Sequence, residues 1–279
     1  MTWTFTSDLA AYLAAAHPAV AARPVSDTLM LTVTDALKRR GSGAYGAEAP
    51  FFGWWTGADG TVAGGLLCTP PFPMVLGVVP AEAVRALGAA LSAEPLLAGI
   101  RAFNARRPDA EALAAAWGRP TRITEEVRLY RLAGLVAPDP APAGRSRPAT
   151  EADLPLLLEW IEAFNTEVGE PRAASEAALR DRFAYGGAVL WEHEGGPVSL
   201  AAFSRPIGSA SRIGPVYTPP ALRGRGFAAG VTHAATRAAH AAGAAEVLLF
   251  TDLANPTSNG VYQRLGYTPV EDRAEVIPV

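Results

Sequence analysis

The segment of this 279-residue chain best suited to chemistry runs from Gly214 to Ala228. Val216, Tyr217 and Thr218 close a strand-like run. Arg223, Gly224, Arg225 and Gly226 form a turn, and Phe227 and Ala228 open an alanine-rich stretch. Glycines let backbone N–H groups approach an anion closely, and the first turn of a helix adds unbonded N–H donors and partial positive charge. Two guanidinium groups add charge-assisted contacts. The segment reads as a cradle for a pyrophosphate. No Gly-Lys-Ser/Thr ends it, so it is not the phosphate loop of nucleoside triphosphatases. A dinucleotide fingerprint would need glycine where Ala229 stands. The same residues would also make an ordinary strand-to-helix turn, with glycines there for shape alone.

A second segment, Val247 to Tyr267, reads as strand, short loop, helix and glycine stop. Asn255 precedes Pro256 as a helix N-cap should, and Ser258 lies in the first turn. Tyr262 stands on this helix, seven residues after Asn255. The four histidines (His17, His193, His233, His240) are scattered, and the one cysteine, Cys68, allows neither an intrachain disulfide nor a cysteine zinc cluster. No metal is expected.

The elements that must hold these segments follow from hydrophobic period and turn residues. Thr150 with Asp153 makes a capping-box helix start, continued by Leu154, Leu157, Leu158, Ile161 and Phe164. A short helix follows over Glu176–Phe183. Strands Ala188–Glu192 and Pro197–Ser204 flank a hairpin turn, and a third strand covers Arg212–Thr218. Helix Gly226–Ala242, strand Val247–Thr251, helix Pro256–Leu265 and an extended tail complete the block. The first part repeats this order: helices Ser7–Ala16 and Ser26–Arg40; strands Phe51–Thr56, Thr61–Thr69 and Met74–Val79; helix Pro80–Ala93; strand Leu96–Phe103; helix Pro108–Trp117; strand Glu126–Leu132. The proline-rich stretch Val136–Pro148 reads as a linker. The expected organisation is an internal duplication in mixed α/β form, residues 1–135 and 149–279. In the first copy Met74–Glu82 enters its helix with no glycine–arginine turn, and Glu82 brings negative charge, so that copy is expected to lack the pyrophosphate cradle and with it any ligand the cradle binds.

Net charge is −3, and 49% of residues are hydrophobic against 18% charged. That balance fits a folded core and disfavours broad electrostatic binding to nucleic acid or to an anionic membrane. The N-terminus lacks the pattern of a signal peptide, and no apolar run reaches the ~18–20 residues of a membrane span. A cytoplasmic protein, monomeric or homodimeric, is the expectation.

Together the two segments resemble the GCN5-related N-acetyltransferase (GNAT) superfamily. Its pyrophosphate loop, Arg/Gln-x-x-Gly-x-Gly/Ala, is matched by Arg223, Gly226 and Ala228. Its later Asn, Tyr and Gly-Tyr/Phe are matched by Asn255, Tyr262, Gly266 and Tyr267. The detailed likeness covers about Val189–Val270. The resemblance implies two tandem GNAT-like domains, each a largely antiparallel sheet flanked by helices, with the first copy degenerate. It implies an acyl-CoA-dependent N-acyltransferase that moves acetyl from acetyl-CoA to a primary amine by direct attack. The backbone of Val216, Tyr217 and Thr218 would pair with the pantetheine arm as an added strand. The N–H groups from Arg223 to Ala228 would hold the pyrophosphate. Asn255 and Ser258 would contact the arm, and Tyr262 would protonate the departing thiolate. A tyrosine near its ordinary pKa of about 10 suits that task. Candidate bases for the amine are Glu162, Glu167, Glu170 and Asp252, or water. The rival expectation is a non-catalytic CoA-binding sensor or interaction module.

Overall fold

The computed structural model describes residues 1–169 and 174–279. Two compact units partition it, Met1–Arg128 with Glu271–Val279, and Leu129–Val270.

In the first unit, strand β1 (Thr2–Thr6) precedes helices α1 (Leu9–Ala21) and α2 (Thr28–Arg40). Strands β2 (Phe51–Thr56), β3 (Val62–Cys68) and β4 (Met74–Leu76) lead to helix α3 (Ala81–Ala93). Strand β5 (Phe103–Arg106), helix α4 (Arg107–Trp117) and strand β6 (Thr121–Leu132) follow. The strands lie in the order β1-β2-β3-β4-β5, and Arg273–Val276 of the last strand, β12 (Tyr267–Pro278), pairs antiparallel with β5. Neighbours are antiparallel except β4 and β5, which run parallel.

Two expectations change here. The strand expected over Leu96–Phe103 is a 3-10 turn, Pro95–Leu97, with the strand starting only at Phe103. Proline removes a donor and Gly99 breaks the run, so its apolar residues serve as core plugs: Leu97 and Ile100 are buried. The alternation Thr-Trp-Thr-Phe-Thr at the N-terminus, not read as a strand, forms β1. It stacks Trp3 on Phe5 and packs Trp3 against Trp55.

The second unit runs β7 (Arg145–Pro148), α5 (Leu154–Val168), α6 (Glu176–Phe183), β8 (Ala188–His193), β9 (Gly196–Phe203), β10 (Ala210–Tyr217), α7 (Phe227–Ala241), β11 (Glu246–Asp252) and α8 (Pro256–Arg264). The end of the segment read as linker is thus a strand, because Arg145–Pro148 pairs antiparallel with β8. Strand order is β11-β10-β9-β8-β7; again all pairs are antiparallel but one, β10 with β11. One face packs on α7 and α8 through Ile213, Val231, Ala235, Val247, Leu249 and Leu265. The other packs on α5 and α6 through Leu157, Trp160, Leu179, Leu190 and Leu200. The capping box forms as read: Asp153 accepts the Thr150 N–H at 2.8 Å and is forked by Arg147 at 2.7 Å through each oxygen. No helix among the described residues is long and apolar enough to cross a membrane.

Candidate active site

The site begins where the parallel pair β10 and β11 of the second unit parts. β10 and β11 are in register from Ala210↔Glu246 to Ile213↔Leu249 and no further, although both strands continue. A break in register between Ile213 and Val216 on the β9 side marks the same place. Beyond it, Val216, Tyr217 and Thr218 lack a β11 partner, so an extended ligand can lie between the strands. The gap opens into a groove of about 1090 Å³, lined by these residues, the turn Arg223–Gly226, and α8 from Asn255 to Arg264.

The turn has the conformation its glycines suggest. Gly224 (φ +75°) and Gly226 (φ +78°) are left-handed, and Gly226 is the N-cap of α7. A Cβ built on Gly224 would meet nothing within 4 Å. The N–H groups of Gly224 through Ala228 have no protein acceptor among the described residues. They and the helix dipole form a concave positive surface, the requirement for a pyrophosphate. Arg223 departs from expectation, since its own N–H donates to the Pro220 carbonyl. Its Nε donates to the Thr218 carbonyl at 2.9 Å, and its Nη2 reaches both Glu167 oxygens at 2.8 and 2.7 Å. Arg223 therefore ties the turn to β10 and to the end of α5, and Thr218 offers the gap a carbonyl already engaged. Arg225 meets His193 Nε2 at 2.9 Å and lies over the Phe227 ring. That places His193, the last residue of β8, beside the cradle.

On α8, Asn255 accepts the Ser258 N–H at 3.0 Å, an N-cap as read, and both residues line the groove. Tyr262 is 9% exposed and also lines it. Its ring meets Tyr267 edge-on, and its hydroxyl has no hydrogen-bond partner among the described residues. Burial pushes its pKa up to about 12, not the ordinary value expected from sequence. At neutral pH it is a fully protonated donor.

The candidate bases are engaged. Both oxygens of Glu167 hold Arg223, Glu162 accepts the Ala174 N–H at 2.9 Å, and Asp252 accepts the Ala254 N–H at 2.8 Å. Glu170 lies outside the described residues. No group of three metal-ligating side chains occurs among the described residues. The stretch Val136–Ala143, read only as a linker, also lines the groove. Its proline content marked it as extended, but nothing local marked where it would lie.

Residues 154–267 match the model of the acetyltransferase (GNAT) family. An acetyltransferase of the GNAT family from Colwellia psychrerythraea shares 11% identity over 100% of this chain and 99% of its own, with a TM-score of 0.63. A GCN5-related N-acetyltransferase from Sphaerobacter thermophilus shares 16% over 98% and 94%, at 0.61. A tandem GNAT protein from the clavulanic acid biosynthesis pathway shares 16% over 99% and 98%, at 0.60. No curated protein sequence matches the chain. The match to the GNAT family model thus lies in the second unit, and the whole chain shares its fold with solved GNAT structures, a tandem one among them.

Proposed function

We propose that this protein is an N-acyltransferase that takes acetyl from acetyl-CoA and passes it to a primary amine within a ternary complex. One observation carries the reading. A single groove at the parting of β10 and β11 is lined both by the turn whose N–H groups lack protein acceptors, at the start of α7, and by Tyr262. A strand-like ligand with a pyrophosphate at one end and a reacting group at the other fits that layout.

The cosubstrate supplies an acyl group activated as a thioester. The chain supplies the rest. Gly224 to Ala228 present N–H donors to the pyrophosphate, and Val216 and Tyr217 offer a strand edge that aligns the arm. Asn255 fixes the start of α8 and lines the groove, where its side-chain N–H₂ would donate to the arm. Tyr262 holds a proton at Oη and donates to charge developing on the departing sulfur. Its raised pKa makes it a hydrogen-bond donor that parts with the proton late, and a buried donor needs no reorganisation at that moment. With Glu162, Glu167 and Asp252 engaged elsewhere, the ammonium proton of the acceptor leaves through Glu170 or water.

Those engaged carboxylates also favour the alternative, a module that binds CoA without turning it over. Two measurements decide. Calorimetry with CoA should show binding to the full chain, and CoA release from acetyl-CoA should depend on an added amine across a panel of acceptors. Binding without amine-dependent release from any acceptor selects the module.

A further inference from the structure

The groove has a second wall that the family reading leaves without a role. Val136–Ala143 lines the groove as a strap. It is tied at both ends: the Val136 N–H donates to the Leu265 carbonyl at 3.0 Å, and Trp191 Nε1 donates to the Ala143 carbonyl at 2.9 Å. Between the ties, Pro142 lies against the start of α7, its Cβ 3.4 Å from where a Gly226 Cβ would be and its Cγ 2.7 Å from that of Gly230. The two glycines make room for the strap, and its prolines cost little entropy to hold extended.

Helix α8 presents two rows to this groove. Ser258, Tyr262 and Leu265 form the inner row, while Thr257, Val261 and Arg264 form the outer row, spaced as neighbours on one helical face. The outer row ends on a cation. Arg264 has no ion pair or hydrogen bond among the described residues, although the other groove arginines are committed, Arg223 to Glu167 and Arg225 to His193. Gly260 leaves space for it, since Arg264 Nη1 lies 3.2 Å from the position a Cβ would take there. An uncommitted guanidinium beside an anion cradle is suited to a further phosphate.

We propose that the strap and Arg264 form the seat for the nucleotide end of the cosubstrate, with Arg264 binding the 3′-phosphate of CoA and Pro138–Pro142 covering the adenosine. The inference rests on the cofactor reading above. It makes Arg264 a specificity residue that distinguishes CoA from dephospho-CoA. Asp139, also on the groove, works against it and limits the gain.

The test is calorimetry on the full chain with CoA, dephospho-CoA and pantetheine. Wild type should bind CoA about five- to tenfold more tightly than dephospho-CoA, the scale of one charge-assisted contact at an exposed site. In Arg264→Gln the two affinities should converge, with dephospho-CoA unchanged, and Arg264→Lys should restore part of the preference. Hydrogen exchange at Ala137, Asp139 and Ala141 should slow with CoA and with dephospho-CoA but not with pantetheine. An unchanged CoA preference in Arg264→Gln, or equal losses for both nucleotides, overturns the assignment of Arg264. Unaltered exchange in the strap under saturating CoA overturns the seat. If neither nucleotide binds wild type, the cofactor reading itself has failed.

Discussion

The two units place a parallel strand pair at the same point in their order, β4 with β5 and β10 with β11, and treat the opening beyond it in opposite ways. In the second unit the strands part onto a groove, and Gly224 faces open space. In the first, the chain's own charges occupy the opening. Arg273, 1% exposed, donates from Nη2 to the carbonyls of Leu76 on β4 and Asn104 on β5, bridging the strands, and from Nε to Asn104 Oδ1. Asp27 takes the Val78 N–H at 2.8 Å, and Arg23 takes the Val78 carbonyl at 3.0 Å. A Cβ on Gly77 would stand 2.8 Å from Asp27 Oδ1. The sheet topology alone does not make a cofactor site. On the proposed reading the site needs strand edges and helix N–H groups left without protein partners, whereas the first unit supplies partners at Val78, Leu76 and Asn104.

Removing the Tyr262 hydroxyl from the second unit should have the largest effect. Tyr262→Phe keeps the ring and its contact with Tyr267. Turnover should fall about 10²–10⁴-fold with a smaller change in KM. Because burial raises the phenol to about 12, wild-type turnover should show no fall near pH 10 that Tyr262→Phe abolishes. Such a fall, or wild-type turnover in the variant with chemistry rate-limiting, would leave Tyr262 a packing residue.

Next in size is the cradle. Gly226→Val places a β-branched side chain at φ +78°, at a groove-lining N-cap whose N–H has no protein acceptor among the described residues. Losing one or two charge-assisted hydrogen bonds should weaken CoA binding about 10–100-fold. Gly224→Ala, where a Cβ has space but φ is +75°, is the milder companion. Calorimetry reads both, and circular dichroism checks the fold. Wild-type stoichiometry should be one CoA per chain; two equivalent sites would erase the contrast between the units.

The filled opening can be attacked directly. Arg273→Met removes a buried guanidinium and strands Glu271 and the carbonyls it served. Breaking a buried charge network in this way costs about 3–5 kcal/mol. Denaturant unfolding should show that loss while CoA stoichiometry stays at one, because the first unit lacks a glycine cradle even when its opening is cleared. A second bound CoA in a folded Arg273→Met would show that the arginine alone keeps the site closed.

Much of this was legible from local signals. Gly224, Gly226 and the N-cap Asn255 announce their conformations by residue type, and Tyr262 is singled out by the resemblance to the GNAT family, whose motif it matches together with Asn255. What could not be read was long-range. Nothing near Arg273 indicates that it bridges Leu76 and Asn104, 197 and 169 residues away in the chain. Glu167 gives no local sign that it will hold Arg223, 56 residues on. Composition predicted that Val136–Ala143 would be extended, but only tertiary structure shows it lying on the groove. The pKa of Tyr262 was misjudged for the same reason, since burial depends on the packed unit.

The smallest effect concerns two aspartates at helix entries, one per unit, which the protein treats oppositely. Asp153 precedes α5, and the Arg147 guanidinium lowers its carboxyl to about 2. Asp27 precedes α2, and burial raises its carboxyl despite the Val78 N–H and Arg23. For Asp153 the folded value lies below the unfolded one, so its contribution is present above about pH 4 and is lost as pH falls towards 2. That contribution is at most about 2 kcal/mol. For Asp27 the folded value lies above the unfolded one, so its contribution is full in acid and declines as pH rises through the raised value. Relative to wild type, Asp153→Asn should lower the Tm by several degrees at pH 7 and progressively less below pH 4. The Tm difference for Asp27→Asn should change with the opposite slope and narrow as pH rises. Scanning calorimetry of both variants from pH 2 to 7 reads the two slopes. Parallel slopes would mean that Arg147 and burial do not set the two carboxylates apart, and the contrast between a charge held for a helix start and a charge sealed into a closed opening would fall with them.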